Sequence, residues 1–490
     1  MPRRHPISAA GALAAALLLG AHAPAAGQGQ TPSQPPAADD GDQTPSGPLG
    51  GMGDVAQPAE PSTTPEQGLT REEEEEAEKP VSVISPERFL LQPSQIHSAF
   101  LPEPHDLDPY VPIGIEIGTF ILFSEAEIGT ILTDNVLDTE TDTHSDIAAE
   151  VAPSLRLDSN WSRHFFSAQF NADRSWYNDF PIEDDKNYQA VARGRIDVTR
   201  RTHLEGEVEA SHIQSGANSI SLTDVTASAG NPTILQEEHV TAGADHTFNR
   251  VTLKVSQTFA KYDYNDDTDP FLVDGILFKN VRDYQEAVTT MRGSYEFQPA
   301  VIGFVEGWVD RRAYDTPISF PAVKRDSNGF AVLGGFDLDL PLGLSGEIEI
   351  GYGKQDPISK DLSPVDGLLV NGDLIWQPTP MTKVEFLTRS EIAETTLTDS
   401  LGAIDRFYEL SLQHAFWRYL VLGAYASYER ADFVDDPQVD QRFKQGLTAE
   451  YYFNQYMSVY GRYEHTNFIS TQEDSNFVEN EVRLGFRIRH

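Results

Sequence analysis

From about Pro112 to the end of the chain, apolar and polar residues alternate with a period of two in segments of about ten, which is the pattern of half-buried β-strands. The clearest segment sets Leu344, Gly346, Ile348, Ile350 and Tyr352 against Ser345, Glu347, Glu349, Gly351 and Gly353. Leu204, Gly206, Val208 and Ala210 alternate in the same way with Glu205, Glu207, Glu209 and Ser211. The last segment places Val478, Val482, Leu484, Phe486 and Ile488 opposite Glu479, Glu481, Arg483, Arg487 and Arg489. One face is apolar and the other charged. A soluble sandwich alternates too, so this pattern leaves the class open.

The connections narrow it. Tight turns are predicted at 160–163, 200–202, 249–250, 298–300, 341–343, 377–380, 417–418 and 454–455. Longer, polar, mostly acidic connections fall between them, as at 134–146, 215–238, 263–280, 313–327, 355–366, 391–403 and 431–440. Strict alternation of short and long connections is the asymmetry of an outer-membrane barrel, with short periplasmic turns and long outer loops. Propellers repeat at a similar period but lack that alternation. One opening strand, eight hairpins and one closing strand predict an all-β, antiparallel up-and-down transmembrane β-barrel of about 18 strands (16–18), with both termini periplasmic. Aromatic residues cluster where two membrane interfaces would lie. Trp161, Trp376, Trp417, Tyr419, Phe453 and Tyr456 flank the short turns, and Trp176 and Trp308 stand a strand length away.

Composition sharpens the picture by exclusion. The 490 residues include no cysteine, so disulfides, Cys-bound metal and a cysteine nucleophile are out. With 36 Lys+Arg against 76 Asp+Glu, the net charge of −40 argues against nucleic acid as a partner. After residue 20 no apolar run approaches the length of a membrane helix.

The N-terminus carries Arg3 and Arg4, an apolar stretch from 7 to 20 and small residues through Ala26, so residues 1–26 are read as a cleaved secretory signal. Residues 27–80 are Pro/Gly/Glu-rich without an aromatic residue and end near the acidic run 72–76. Such a stretch cannot bury enough apolar surface to order itself and is read as a disordered tether. Residues 81–112 are expected to be an extended periplasmic or plug segment, and 113–490 the barrel.

Two stretches resemble a known family. They are Asp108-Pro109-Tyr110-Val111-Pro112-Ile113-Gly114, continuing into Gly118-Thr119-Phe120 and Thr133-Asp134-Asn135-Val136, and Pro153-Ser154-Leu155-Arg156-Leu157 with Ser159-Asn160-Trp161-Ser162-Arg163-His164. Together they resemble the putative β-barrel porin 2 family over roughly 105–490. That resemblance implies a Gram-negative outer-membrane protein associated with export of exopolysaccharide or other surface polysaccharide, with no catalytic residues to carry over. The sequence departs from the usual barrel ending, with His490 where an aromatic is expected.

The polar face of so wide a barrel lines an interior that admits water. Candidate pore-lining residues are Arg193, Arg195, Glu205, Glu207, Glu347, Glu349, Arg483 and Arg487. They either select solutes or pair with one another to hold a hydrated wall. The segment 263–269 is acidic but lacks the glycine and closing glutamate of a calcium loop, so no metal or cofactor is assigned. The 13 histidines are dispersed, with no H-E-x-x-H or G-x-S-x-G. A pair such as His212/Ser215 is the nearest approach to a catalytic constellation, and the chain is read as a non-enzyme. The functional expectation is a channel for surface polysaccharide export or assembly, with a general or sugar-preferring diffusion porin as the alternative and a non-conducting structural or adhesive barrel as a third. Expected partners are outer-membrane lipid and lipopolysaccharide, the barrel-assembly machinery and polysaccharide export components.

Overall fold

The computed structural model describes residues 107–490 apart from 111, 215–233, 266–270, 274–275, 279–281, 316–323, 342, 396, 398–399 and 473–474. The expected signal peptide, the tether and residues 81–106 lie outside the described residues, as does Ser215.

The strands follow the predicted rhythm. After β1 (Ile115–Ile117) come β2 (Phe120–Thr133), β3 (Asp146–Ser159), β4 (Phe165–Tyr177), β5 (Lys186–Thr199), β6 (Thr202–Gln214), β7 (Ile234–Phe248) and β8 (Val251–Asn265). A small hairpin, β9 (Phe271–Val273) and β10 (Ile276–Phe278), stands within the next long connection. The wall resumes with β11 (Tyr284–Gln298), β12 (Val301–Tyr314), β13 (Ser327–Leu340), β14 (Leu344–Pro357), β15 (Val365–Thr379) and β16 (Thr382–Ala393). It ends with β17 (Ala403–Trp417), β18 (Leu420–Phe433), β19 (Val439–Asn454), β20 (Met457–Ser470) and β21 (Phe477–Arg489).

Each strand from β2 to β8 and from β11 to β21 pairs antiparallel with its neighbours, and β21 returns to β2 from Glu125↔Arg489 to Thr133↔Glu481. The result is a closed barrel of 18 strands. β1 pairs with Phe120–Leu122 of β2, the stretch that β21 does not reach, and so completes the seam at the periplasmic end. Carried once round the ring, the register is displaced by about 22 residues, which tilts the strands by roughly 40° at ordinary strand spacing and rise.

The eight short turns fall where the sequence puts them, displaced by one to three residues at several. The cause is local. The register slips between Asp197 and Thr199, Glu296 and Gln298, Trp376 and Thr379, Ala415 and Trp417, and Tyr452 and Asn454. A bulge placed just before a turn adds twist at the rim and lengthens the strand past the turn residue expected from composition. Thus β15 runs through Gln377 to Thr379 instead of turning there.

The burial pattern is inverted relative to a soluble protein. Val305, Ile350, Leu447 and Phe486 are each more than half exposed, while Glu306, Glu349 and Arg487, one position away, are buried. Apolar side chains point outward and polar ones cover one another inside, as a lipid-facing barrel demands. Among the described residues no helix is long and apolar enough to cross a membrane.

Seven of the eight girdle candidates (Trp161, Trp176, Trp376, Trp417, Tyr419, Phe453 and Tyr456) are outward and exposed. Trp308 is the correction. It sits opposite Thr290 and Ala331, both buried in the interior, and packs on Ala331, Leu333 and Leu369. Its register is that of Glu306 and Asp310, and side-chain parity along a strand allows no other face.

Candidate functional site

All eight candidate lining residues stand on the inward register, and each is held by a partner. On β5 and β6, Arg193 pairs with Glu207 directly across the ladder. Arg195 bonds Asp197 at 3.0 Å, and Glu205 accepts from Lys254 Nζ at 2.8 Å. On β14, Glu347 takes both nitrogens of Arg292 at 3.0 and 2.5 Å, while Glu349 accepts from Asn371 Nδ2 at 3.0 Å. At the seam, Arg483 bridges Glu481 at 2.5 Å and Glu150 at 2.8 Å. Arg487 holds Glu127 and Glu450 at 2.6 Å and Glu125 at 3.1 Å.

These pairs form separate belts along the wall. Arg292, Arg483 and Arg487 each set a guanidinium against carboxylates of other strands, Arg292 with two nitrogens on Glu347, the geometry in which charge-assisted bonds are strongest. Sequence reasoning missed several members: Lys254, Arg292, Arg312 with Glu286 at 2.8 Å, and Arg462 with Glu464 at 2.9 Å. Lys254 stands between exposed Leu253 and Val255, and Arg462 beside exposed Tyr463, so alternation marked their inward face but not their partners.

Between the belts the wall is lined by hydroxyl, amide and aromatic groups. Thr241 and Thr258 bond across β7 and β8 at 2.9 Å. Tyr262, Tyr284 and Tyr314 stack in register on β8, β11 and β12, with centroids 4.4 and 5.0 Å apart. Several buried acceptors, among them Gln189 Oε1, Glu349 Oε2, Asp405 Oδ1 and Gln413 Oε1, have no donor among the described residues.

Around Ser211 the geometry is not that of an activated nucleophile. Ser211 Oγ donates to Glu237 at 3.1 Å, and His239 Nε2 stands 3.8 Å from that same carboxylate. The serine is thus tied to the acid, not to a base that would activate it. Among the described residues no group of three His, Asp or Glu is arranged to hold a metal.

The described part of the N-terminal segment touches the wall at the periplasmic end. Leu107 is buried among Ala415, Val421 and Tyr452. The Asp108 carboxylate pairs with Arg489, whose second nitrogen donates to the Tyr110 carbonyl at 3.0 Å. Asp108, the first residue of the motif quoted above, is therefore a clasp onto the last strand. Close by, His490 lies 5.6 Å from the Tyr456 ring and exchanges backbone bonds with Ser124 at 2.8 and 3.2 Å.

The family model described as putative beta-barrel porin 2 matches residues 108–490. No curated protein matches the chain. Among solved structures, OpdL of Pseudomonas aeruginosa is similar at 14% identity, with a TM-score of 0.39, over 76% of this chain and 99% of its own. A BenF-like porin from Pseudomonas fluorescens Pf-5 matches at 10% identity and a TM-score of 0.41, over 75% and 99%. OccAB4 of Acinetobacter baumannii matches at 12% identity and a TM-score of 0.38, over 75% and 98%.

Proposed function

The chain belongs to the putative beta-barrel porin 2 family, and from that premise we propose that this bacterial outer-membrane, porin-like channel passes surface polysaccharide from the periplasm to the exterior. The observation that carries the reading is the chemistry of the interior. Arg193, Glu205, Gln189 and Gln413 stand on the inward face and are only partly buried, so charged and amide groups line the path. A hydroxyl-rich chain supplies donors to such a wall, while its own acceptors meet the Thr and Ser hydroxyls. The clasp of Leu107–Tyr110 at the periplasmic end supports a conduit whose entrance is controlled. On this reading periplasmic export components deliver the polymer, lipopolysaccharide surrounds the outer rim, and the barrel-assembly machinery inserts the chain.

The same wall suits free sugars, so a sugar-preferring diffusion porin is the runner-up. Two measurements separate them. Deleting the protein from its host should abolish surface polysaccharide while leaving uptake of small sugars intact. In a planar bilayer, the mature chain should conduct weakly and the form lacking residues 27–112 strongly. Normal polysaccharide with impaired sugar uptake, and steady current from the full mature chain, would establish the diffusion porin instead.

A further inference from the structure

One stretch of wall departs from the rest. Pairing between β15 and β16 stops at Gly372↔Thr388, although β16 stays paired with β17 as far as Ala393↔Ala403. Side chains replace the missing ladder: Ser390 N–H donates to Asn371 Oδ1 at 2.9 Å, and Ser390 Oγ to the Val370 carbonyl at 3.2 Å. Thr388, Ser390 and Ile392 occupy the register that faces lipid on other strands, yet all three are buried. Ile392 is covered by Leu362, Val365 and Ile404. A methyl added at Gly367 of β15 would meet Ile404 of β17, so these two strands close over the gap.

The displaced strand end is gripped from inside. Arg312 of β12 donates to the Ile392 carbonyl at 3.2 and 3.3 Å. Glu394 is held by Arg282 at 3.0 Å and Arg325 at 2.6 Å, all three buried. Arg325 also donates to the Leu397 carbonyl. The Leu397 side chain meets the opposite flank, packing on the cluster of Phe433, Phe468 and Phe477 from β18, β20 and β21. Residues 388–395 and Leu397 therefore reach from the β12–β13 wall to the β20–β21 wall at the outer end.

We infer that the outer half of β16, with Glu394, Thr395 and Leu397 after it, is the constriction that sets the size limit of the channel, and that the Arg282–Glu394–Arg325 clamp holds it inward. A buried acid shared by two guanidinium groups keeps its position only while both charges are matched, and interior obstruction decides what a pore admits. The inference rests on the channel reading.

The test is single-channel recording from the full mature chain and, because residues 27–112 are expected to throttle it, from the form lacking them, with neutral polyethylene glycols of increasing size as probes. Glu394→Gln and Arg325→Ala should raise conductance by about twofold or more and admit larger polymers. Because the protein has no cysteine, a Leu397→Cys/Phe468→Cys pair closed by a short reducible thiol reagent should keep the wild-type limit, even with Glu394→Gln added, until reduction. Heat-modifiable migration on gels establishes that each variant has folded. An unchanged size limit in folded Glu394→Gln and in the reduced and bridged pair alike overturns the inference. Absence of current from every folded form, including the one lacking residues 27–112, instead overturns the channel reading itself.

Discussion

Gly346 shows how tightly single positions are set. It stands in the apolar register of β14, with φ at +118° and the Asp373 carbonyl oxygen in the place a Cβ would take. Left-handed backbone of this kind is strained for any residue with a side chain. Gly346→Ala should therefore cost about 1–3 kcal/mol, read as a lower urea midpoint of the refolded barrel; an unmoved midpoint would mean the strand relaxes there. Asp185, in the connection before β5, makes the opposite kind of statement. Burial pushes its carboxyl up to about 7, and the neighbouring Asp173 adds to this. The folded state thus holds a proton that the unfolded chain releases near the ordinary carboxylate value, so stability falls as pH rises from about 4 to 7. Asp185→Asn should be more stable than wild type at pH 8 and close to it at pH 4. Equal melting temperatures of the two proteins at pH 8 would disprove the assignment.

Pairs of strands are held by ion pairs of very different worth. Arg292 lies 3.5 Å over the Phe304 ring, bonds Glu347 through two nitrogens and stands 3.6 Å from Glu306, with all its acidic partners buried. Removing it leaves those carboxylates unmatched, so Arg292→Ala should cost about 3–5 kcal/mol. Arg193, half exposed beside Glu207, is a screened pair, and Arg193→Ala should cost about 1 kcal/mol or less. Chemical denaturation of the two variants gives the order directly, and equal costs would show that the interior screens charge as bulk water does.

At the scale of the whole barrel, the same interior carries more carboxylates than cations. Acids held only by neutral side chains, such as Glu349 with Asn371 and Asp440 with Ser470, add to those in ion pairs. A wall of this sign attracts cations and repels anions along the path. The form lacking residues 27–112 should therefore be cation-selective in a potassium chloride gradient, and less so at high salt, where screening shortens the reach of each charge. An anion-selective reversal potential would place the conducting path away from this wall.

Alternation and turn spacing were enough to determine the barrel, its strand number to within two and the face of most residues, because a period of two leaves a strand only two faces and only one tolerates charge. Parity also contained the placement of Trp308, beside Glu306 and Asp310, and the polar outward residues Thr388 and Ser390 marked a strand end that does not meet lipid. Partnership was not legible. Arg487 bonds Glu127 across 360 residues of chain, and Arg292 reaches Glu347 past two intervening strands. The rim bulges, the Asp108–Arg489 clasp and the inward turn of β16 were likewise decided by the closed ring. Closure alone brings distant strands within bonding distance, and local pattern carries no record of which side chains will meet there.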